Sequence, residues 1–154
     1  MRLSLPIVVA LAGCGSAAPP SPAPPQNTSP PARAEATPAS TFAWQRDETA
    51  AFDLARRTHR GVMVHFTATW CMPCTELEKV MATPEVATSI AERFVPLMAD
   101  VTDDDDATGR ALREKYVIAT LPAVVFVTTD GKVVGRITEL VDAAGLTAAI
   151  AAAR

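Results

Sequence analysis

The chain has 154 residues, a net charge of −3 at neutral pH and 49% hydrophobic residues, which suits one domain with its own core plus a tether. The mildly acidic balance offers no case for nucleic-acid binding. Three cysteines and two histidines argue against zinc, because a C-x-x-C site needs a second ligand pair.

Residues 1–13 have a basic start at Arg2, an apolar middle and small residues before Cys14, the layout of an export signal. The apolar run is too short to span a bilayer, which takes about 20 residues. Leu11-Ala12-Gly13-Cys14 resembles the lipobox of bacterial lipoproteins, which implies cleavage before Cys14 and lipidation of its thiol. An ordinary signal peptide leaving a free cysteine is the plainer alternative. Several acyl chains on one residue hold far better than a single chain. The expected address is the cell envelope, lipid-anchored and facing the periplasm. Gly15, in place of an aspartate that retains lipoproteins at the inner membrane in some bacteria, leans towards the outer membrane.

Residues 14–40 read as the lipidated cysteine plus a flexible linker. Eight of the 13 prolines fall here, with no aromatic residue and only Arg33 and Glu35 charged. Such a composition cannot bury a core. Extended at about 3.1 Å per residue, it reaches at most ~80 Å. A proline-rich docking motif is the alternative, but basic anchors beside the prolines are lacking.

Residues 41–154 alternate between strand and helix signals. Phe42-Ala43-Trp44 is a short apolar entry, and Asp47 to His59 is helix-like, with Gly61 expected to stop it. Val62 to Phe66 is an unbroken apolar run, the mark of a buried strand. Pro73 to about Met81 continues as a helix. Thr83 and Pro84 then cap and open a second helix to Arg93. Phe94 to Val101 reads as a strand and Asp105 to Lys115 as a helix. Ala123 to Thr128 and Lys132 to Ile137 alternate as strands around Asp130-Gly131, a hairpin signal. From Asp142 onward Leu146, Ala149 and Ile150 share one face of a terminal helix. Helices between strands, then a hairpin and a last helix, describe an α/β sheet covered on both faces.

Cys71-Met72-Pro73-Cys74 is the chemical centre. A cysteine at a helix start meets partial positive charge and unpaired N–H groups that favour its thiolate. The thiolate attacks a disulfide elsewhere and the second thiol resolves the product. Two cysteines then form a redox pair while Cys14 serves the anchor, a division suited to an oxidising compartment.

The order strand, W-C-x-x-C, helix, strand, helix, Leu121-Pro122, hairpin, helix resembles the thioredoxin fold, a central mixed β-sheet with helices on both faces. Within that superfamily Val62 to Val86 is similar to the C-terminal periplasmic domain of DsbD and to small thioredoxin-like lipoproteins. The shared features are T-W-C-x-x-C, the acidic run after it, Thr83-Pro84-Glu85-Val86 and Ala99-Asp100-Val101-Thr102. The resemblance implies that Cys71 is the nucleophile, Cys74 the resolving thiol and Leu121-Pro122 a cis peptide facing the disulfide. Cis bonds are practically confined to proline, and a trans proline at a strand start is the ordinary alternative. Trp70 is expected beside the site. Pro73 fixes a backbone torsion and removes an N–H that would otherwise stabilise Cys74 as a thiolate.

Three residues depart from or add to that pattern. His65 stands where thioredoxins carry a buried aspartate; neutral, it accepts a proton from Cys74, and charged, it makes the pair more oxidising. A core histidine with no redox role is the other reading. Glu78 matches an acidic residue of the DsbD domain and is a second candidate proton acceptor, or else a solvated helix-face glutamate. Glu139 occupies a position near the substrate groove where many relatives have glycine, and a carboxylate there is a candidate for narrowing the choice of partners. Asp103 to Asp106 fails the calcium-loop pattern, since Lys115 occupies the closing glutamate position; a solvated loop with a helix cap is expected.

The reading is a membrane-anchored thiol:disulfide oxidoreductase acting on protein disulfides, as a reductant rather than an oxidant. Its only redox group is the Cys71–Cys74 pair, with no cofactor or metal. A DsbD-like membrane protein is the expected electron donor. The alternatives are a dithiol oxidase, a copper chaperone using Cys71, Cys74 and Met72 or His65 as soft ligands, and a non-catalytic scaffold.

Overall fold

The computed structural model describes residues 42–154; the signal, Cys14 and linker assignments lie outside the described residues. Nine elements follow in chain order: α1 (Glu48–Thr58), β1 (Gly61–Thr67), α2 (Met72–Met81), α3 (Pro84–Arg93), β2 (Phe94–Asp100), α4 (Ala107–Tyr116), β3 (Ala123–Val127), β4 (Val133–Ile137) and α5 (Ala143–Ala152). The sheet order is β2-β1-β3-β4. β1 and β2 run parallel, and β3 is antiparallel to both β1 and β4. Among the described residues no helix is long and apolar enough to cross a membrane.

β1 reads as an unbroken apolar run because both of its faces are covered. Val62, Val64 and Phe66 pack with Ala51 and Ala55 of α1 and with Leu112 and Tyr116 of α4. Met63 packs on the other side with Leu77 and Met81 of α2, Ile90 of α3, and Leu146 and Ile150 of α5. β2 tolerates Pro96 because it is the outer strand of the ladder. Among the described residues its free side pairs with Gln45, through Gln45 N–H to Pro96 O at 2.8 Å and Met98 N–H to Gln45 O at 2.9 Å.

The end of α1 corrects the sequence expectation. The helix stops at His59, which adopts the left-handed conformation (φ 54°) and donates its N–H to Ala55 O and Arg56 O. Gly61 is instead the first residue of β1, needed for close approach. A Cβ there would sit 2.8 Å from the Phe94 ring and 2.8 Å from Val127 O. The hairpin forms as expected, with Gly131 at φ 88° and Thr128 N–H bonded to Lys132 O. The aspartate run is a loop closed by a cap: Asp106 accepts from the N–H groups of Thr108 and Gly109 at the start of α4.

Candidate active site

The chain leaves β1 at Thr67 and turns through Ala68–Trp70 so that Cys71 becomes the N-cap of α2. Cys71 and Cys74 are joined by a disulfide with an S–S distance of 2.04 Å. Cys71 Sγ accepts the Cys74 N–H at 3.3 Å. Pro73 lies in the first helical turn and has no N–H to offer, so the Cys74 N–H is the donor that remains. First-turn N–H groups open towards the N-cap. The donor that Pro73 removes is one of this first-turn set.

Cys71 is 5% exposed and Cys74 fully buried, its Sγ 4.0 Å from Phe66 O. Cys71 is thus the sulfur nearer to solvent, though far more covered than an open helix start implies. Around it stand Trp70 at 64% and Met72 at 78% exposure, two large apolar side chains left without a core. Trp70 therefore shapes the surface and fills no interior space. The Leu121–Pro122 peptide is cis, Pro122 is buried and Leu121 packs against the cluster that holds both cysteines.

His65 and Glu78 meet each other and not the disulfide sulfurs. His65 Nε2 lies 3.2 Å from Glu78 Oε1, and Thr67 Oγ1 donates to the same oxygen at 2.8 Å. The His65 hydrogen bond is the main reason that the Glu78 carboxyl sits below its usual range. Thr67 and the nearby Arg46 charge act in the same sense, and partial burial opposes them. An ionised carboxylate only accepts, so His65 carries its proton on Nε2 and donates it. Its Nδ1 is buried with no partner. His65 Nε2 is thereby committed to Glu78.

Two residues given no role on sequence hold the redox loop. Thr102 Oγ1 accepts the Thr69 N–H at 2.9 Å, and Thr102 O accepts from Trp70 Nε1 at 3.3 Å. Thr102 is fixed in turn by Asp100 Oδ1, which takes both its N–H and its hydroxyl. These bonds depress the Asp100 pKa. The segment Ala99-Asp100-Val101-Thr102 was visible in the sequence as a likeness; its task was not, because the contact spans more than thirty residues. Glu139 is exposed and lies two residues past the last β3–β4 ladder pair, Val124 with Ile137.

A four-stranded mixed sheet that delivers a dithiol ring to the start of a helix, with a cis proline leading into β3, defines a protein of the thioredoxin fold. The thioredoxin-like family model matches residues 43–129, and the chain belongs to that family. The thiol:disulfide interchange protein DsbD of Ralstonia nicotianae is 36% identical over 77 residues, covering 50% of this chain and 12% of that protein. The chain spans 12 to 16% of the length of the curated relatives it matches. Among solved structures, the oxidised C-terminal domain of Neisseria meningitidis DsbD is 25% identical with a TM-score of 0.62. That match covers 73% of this chain and all of the domain. A thioredoxin from Thermus thermophilus is 27% identical with a TM-score of 0.63, covering 71% of this chain and 85% of its own.

Proposed function

We propose that the chain exchanges disulfides with protein clients as a reductant in the cell envelope, held to a membrane by lipid on Cys14. The observation that carries the chemistry is the seat of Cys71: a sulfur at a helix N-cap, bonded to the Cys74 N–H and ringed by exposed Trp70 and Met72. In the reduced enzyme the Cys71 thiolate attacks a client disulfide. One client sulfur joins Cys71 and the other leaves as a thiolate. Cys74 loses its proton, attacks Cys71 Sγ and releases the second client thiolate, so two electrons pass to the client and the Cys71–Cys74 disulfide forms.

Glu78 stands one helical turn beyond Cys74 on the same face of α2. Its negative charge disfavours a thiolate on Cys74 and so keeps that thiol protonated while Cys71 is charged. A DsbD-like membrane dithiol is the electron donor this scheme needs, by likeness to the relatives. The lipobox-like Leu11–Cys14 and the proline-rich residues 15–40 support the anchor and its reach.

The reduction potential of the pair tests the direction. The full chain in detergent is equilibrated against thiol buffers and read by alkylation mass shift. A value near about −270 mV supports a reductant; one near about −120 mV makes it an oxidant. Cys74→Ser should accumulate a mixed disulfide on Cys71, and its absence would remove the assigned roles. Cys14→Ser should release the chain from membranes; retention would refute the anchor.

A further inference from the structure

The sulfur atoms of the described residues divide sharply by exposure. Cys71, Cys74, Met63 and Met81 are buried and Met98 is half-buried, while Met72 is 78% exposed. Met72 is the first residue of α2, directly after Cys71 at the N-cap. The helix turns Cys74, Leu77 and Met81 towards the core. At about 100° per residue, Met72 falls on the opposite side. The fold thus places one thioether in water, against the reacting disulfide, and gives it no core contact.

A thioether in that setting is open to a hydroperoxide. The sulfur lone pair takes the terminal oxygen and the O–O bond breaks. Sulfur loses two electrons, and the remaining oxygen leaves as an alcohol, or as water when hydrogen peroxide is the oxidant. The closed Cys71–Cys74 disulfide is already oxidised and covered by the protein, so the exposed thioether is the sulfur that such an oxidant meets. The product replaces a flexible apolar side chain with a polar one. Cys71 is only 5% exposed. A protein that reaches it must therefore cover the side chains standing around it, whereas a small disulfide need not.

We propose that Met72 is an oxidation site that switches the face around Cys71: its sulfoxide slows exchange with protein clients and spares exchange with small disulfides. The inference rests on the disulfide-exchange reading above. It adds a response to hydroperoxides that leaves both cysteines intact and is reversible by methionine sulfoxide reduction.

The full chain in detergent, with its disulfide closed, is treated with hydrogen peroxide, cleared of it and mapped by peptide mass spectrometry. Among Met63, Met72, Met81 and Met98, added oxygen should appear on Met72 first. Exchange is then measured with dithiothreitol as reductant, on insulin and on hydroxyethyl disulfide. Losing the burial of one methionine side chain predicts an insulin-to-hydroxyethyl disulfide ratio of kcat/KM about tenfold lower after treatment. Methionine sulfoxide reductase should restore that ratio. Met72→Leu should keep its own ratio through the same treatment, and Met72→Gln should show the lowered ratio without any peroxide. Oxygen appearing first on another methionine would overturn the site. A Met72 sulfoxide that leaves the ratio unchanged, or a fall that persists in Met72→Leu, would overturn the switch while leaving the exchange activity standing. Failure of the untreated chain to reduce either disulfide would sink the exchange reading and the switch with it.

Discussion

One oxygen of Glu78, on α2, takes hydrogen bonds from both His65 and Thr67 on β1, at 3.2 and 2.8 Å. His65 is fully buried and has no other hydrogen-bond partner among the described residues. Glu78→Ala therefore strands both imidazole nitrogens and should cost about 1–3 kcal/mol. His65→Phe removes both nitrogens and leaves Glu78 half-exposed to water, but its larger ring must fit a fully buried site; its cost should be about 1 kcal/mol. Urea melts of the two variants make the comparison. If His65→Phe were the more damaging, the imidazole would have a role beyond this bond.

Charge gives a second consequence for the same pair. Glu78→Gln removes a negative charge one helical turn from Cys74, which stabilises the reduced, thiolate-bearing form. The reduction potential should rise by roughly 10–30 mV, or two- to tenfold in the exchange constant with a thiol buffer. An unchanged or lowered potential would show that the carboxylate does not act on the thiols.

The redox pair, the proline turn and the succession of elements along the chain were legible because each is written in neighbouring residues: a C-x-x-C after an apolar run, a proline before another. Helix ends were less so. Gly61 looked like a stop signal, yet His59 took the left-handed position and the glycine met a steric demand set by Phe94 and Val127, far away in sequence. The Thr102 clamp and the His65–Glu78 bond were out of reach for the same reason. Sequence named His65 and Glu78 separately; only the packing of α2 on β1 joined them.

Gly61→Ala puts a methyl group 2.8 Å from a ring carbon and from a backbone oxygen. The carbonyl belongs to β3 and cannot yield without disturbing the ladder. A loss of about 1–3 kcal/mol is expected, read as a lower denaturant midpoint with an unchanged slope. Wild-type stability would mean that the Phe94 ring and the strand move apart freely.

Thr102→Val keeps the carbonyl that receives Trp70 but deletes the hydroxyl between Thr69 N–H and Asp100. The redox loop should loosen at a cost of about 1 kcal/mol. The indole of Trp70 should gain motion, seen as lower fluorescence anisotropy once Trp44 is replaced by phenylalanine in both proteins. Reduction of protein disulfides should slow several-fold. An unaltered anisotropy would show that the Trp70 Nε1 bond alone fixes the loop.

Acid stability carries the last test. Glu78 and Asp100 are both held below their ordinary values of 4.5 and 3.8, Glu78 chiefly by His65 and Asp100 chiefly by the Thr102 hydroxyl. A carboxylate with a depressed folded pKa contributes stability that is fully present above its unfolded pKa. That contribution is lost as pH falls through the folded value. The window therefore opens below about pH 4.5, where Glu78 begins to be protonated in the unfolded chain, and extends further down as both groups gain protons in the fold. Melting temperatures taken from about pH 7 down to about pH 3 should be flat at first and then fall. His65→Phe should flatten the Glu78 part of that fall and Thr102→Val the Asp100 part. The two effects should add, because the groups share neither hydrogen-bond partner. A fall that begins near neutrality would point to a different titrating group, and parallel curves in all three proteins would show that neither carboxylate governs acid unfolding.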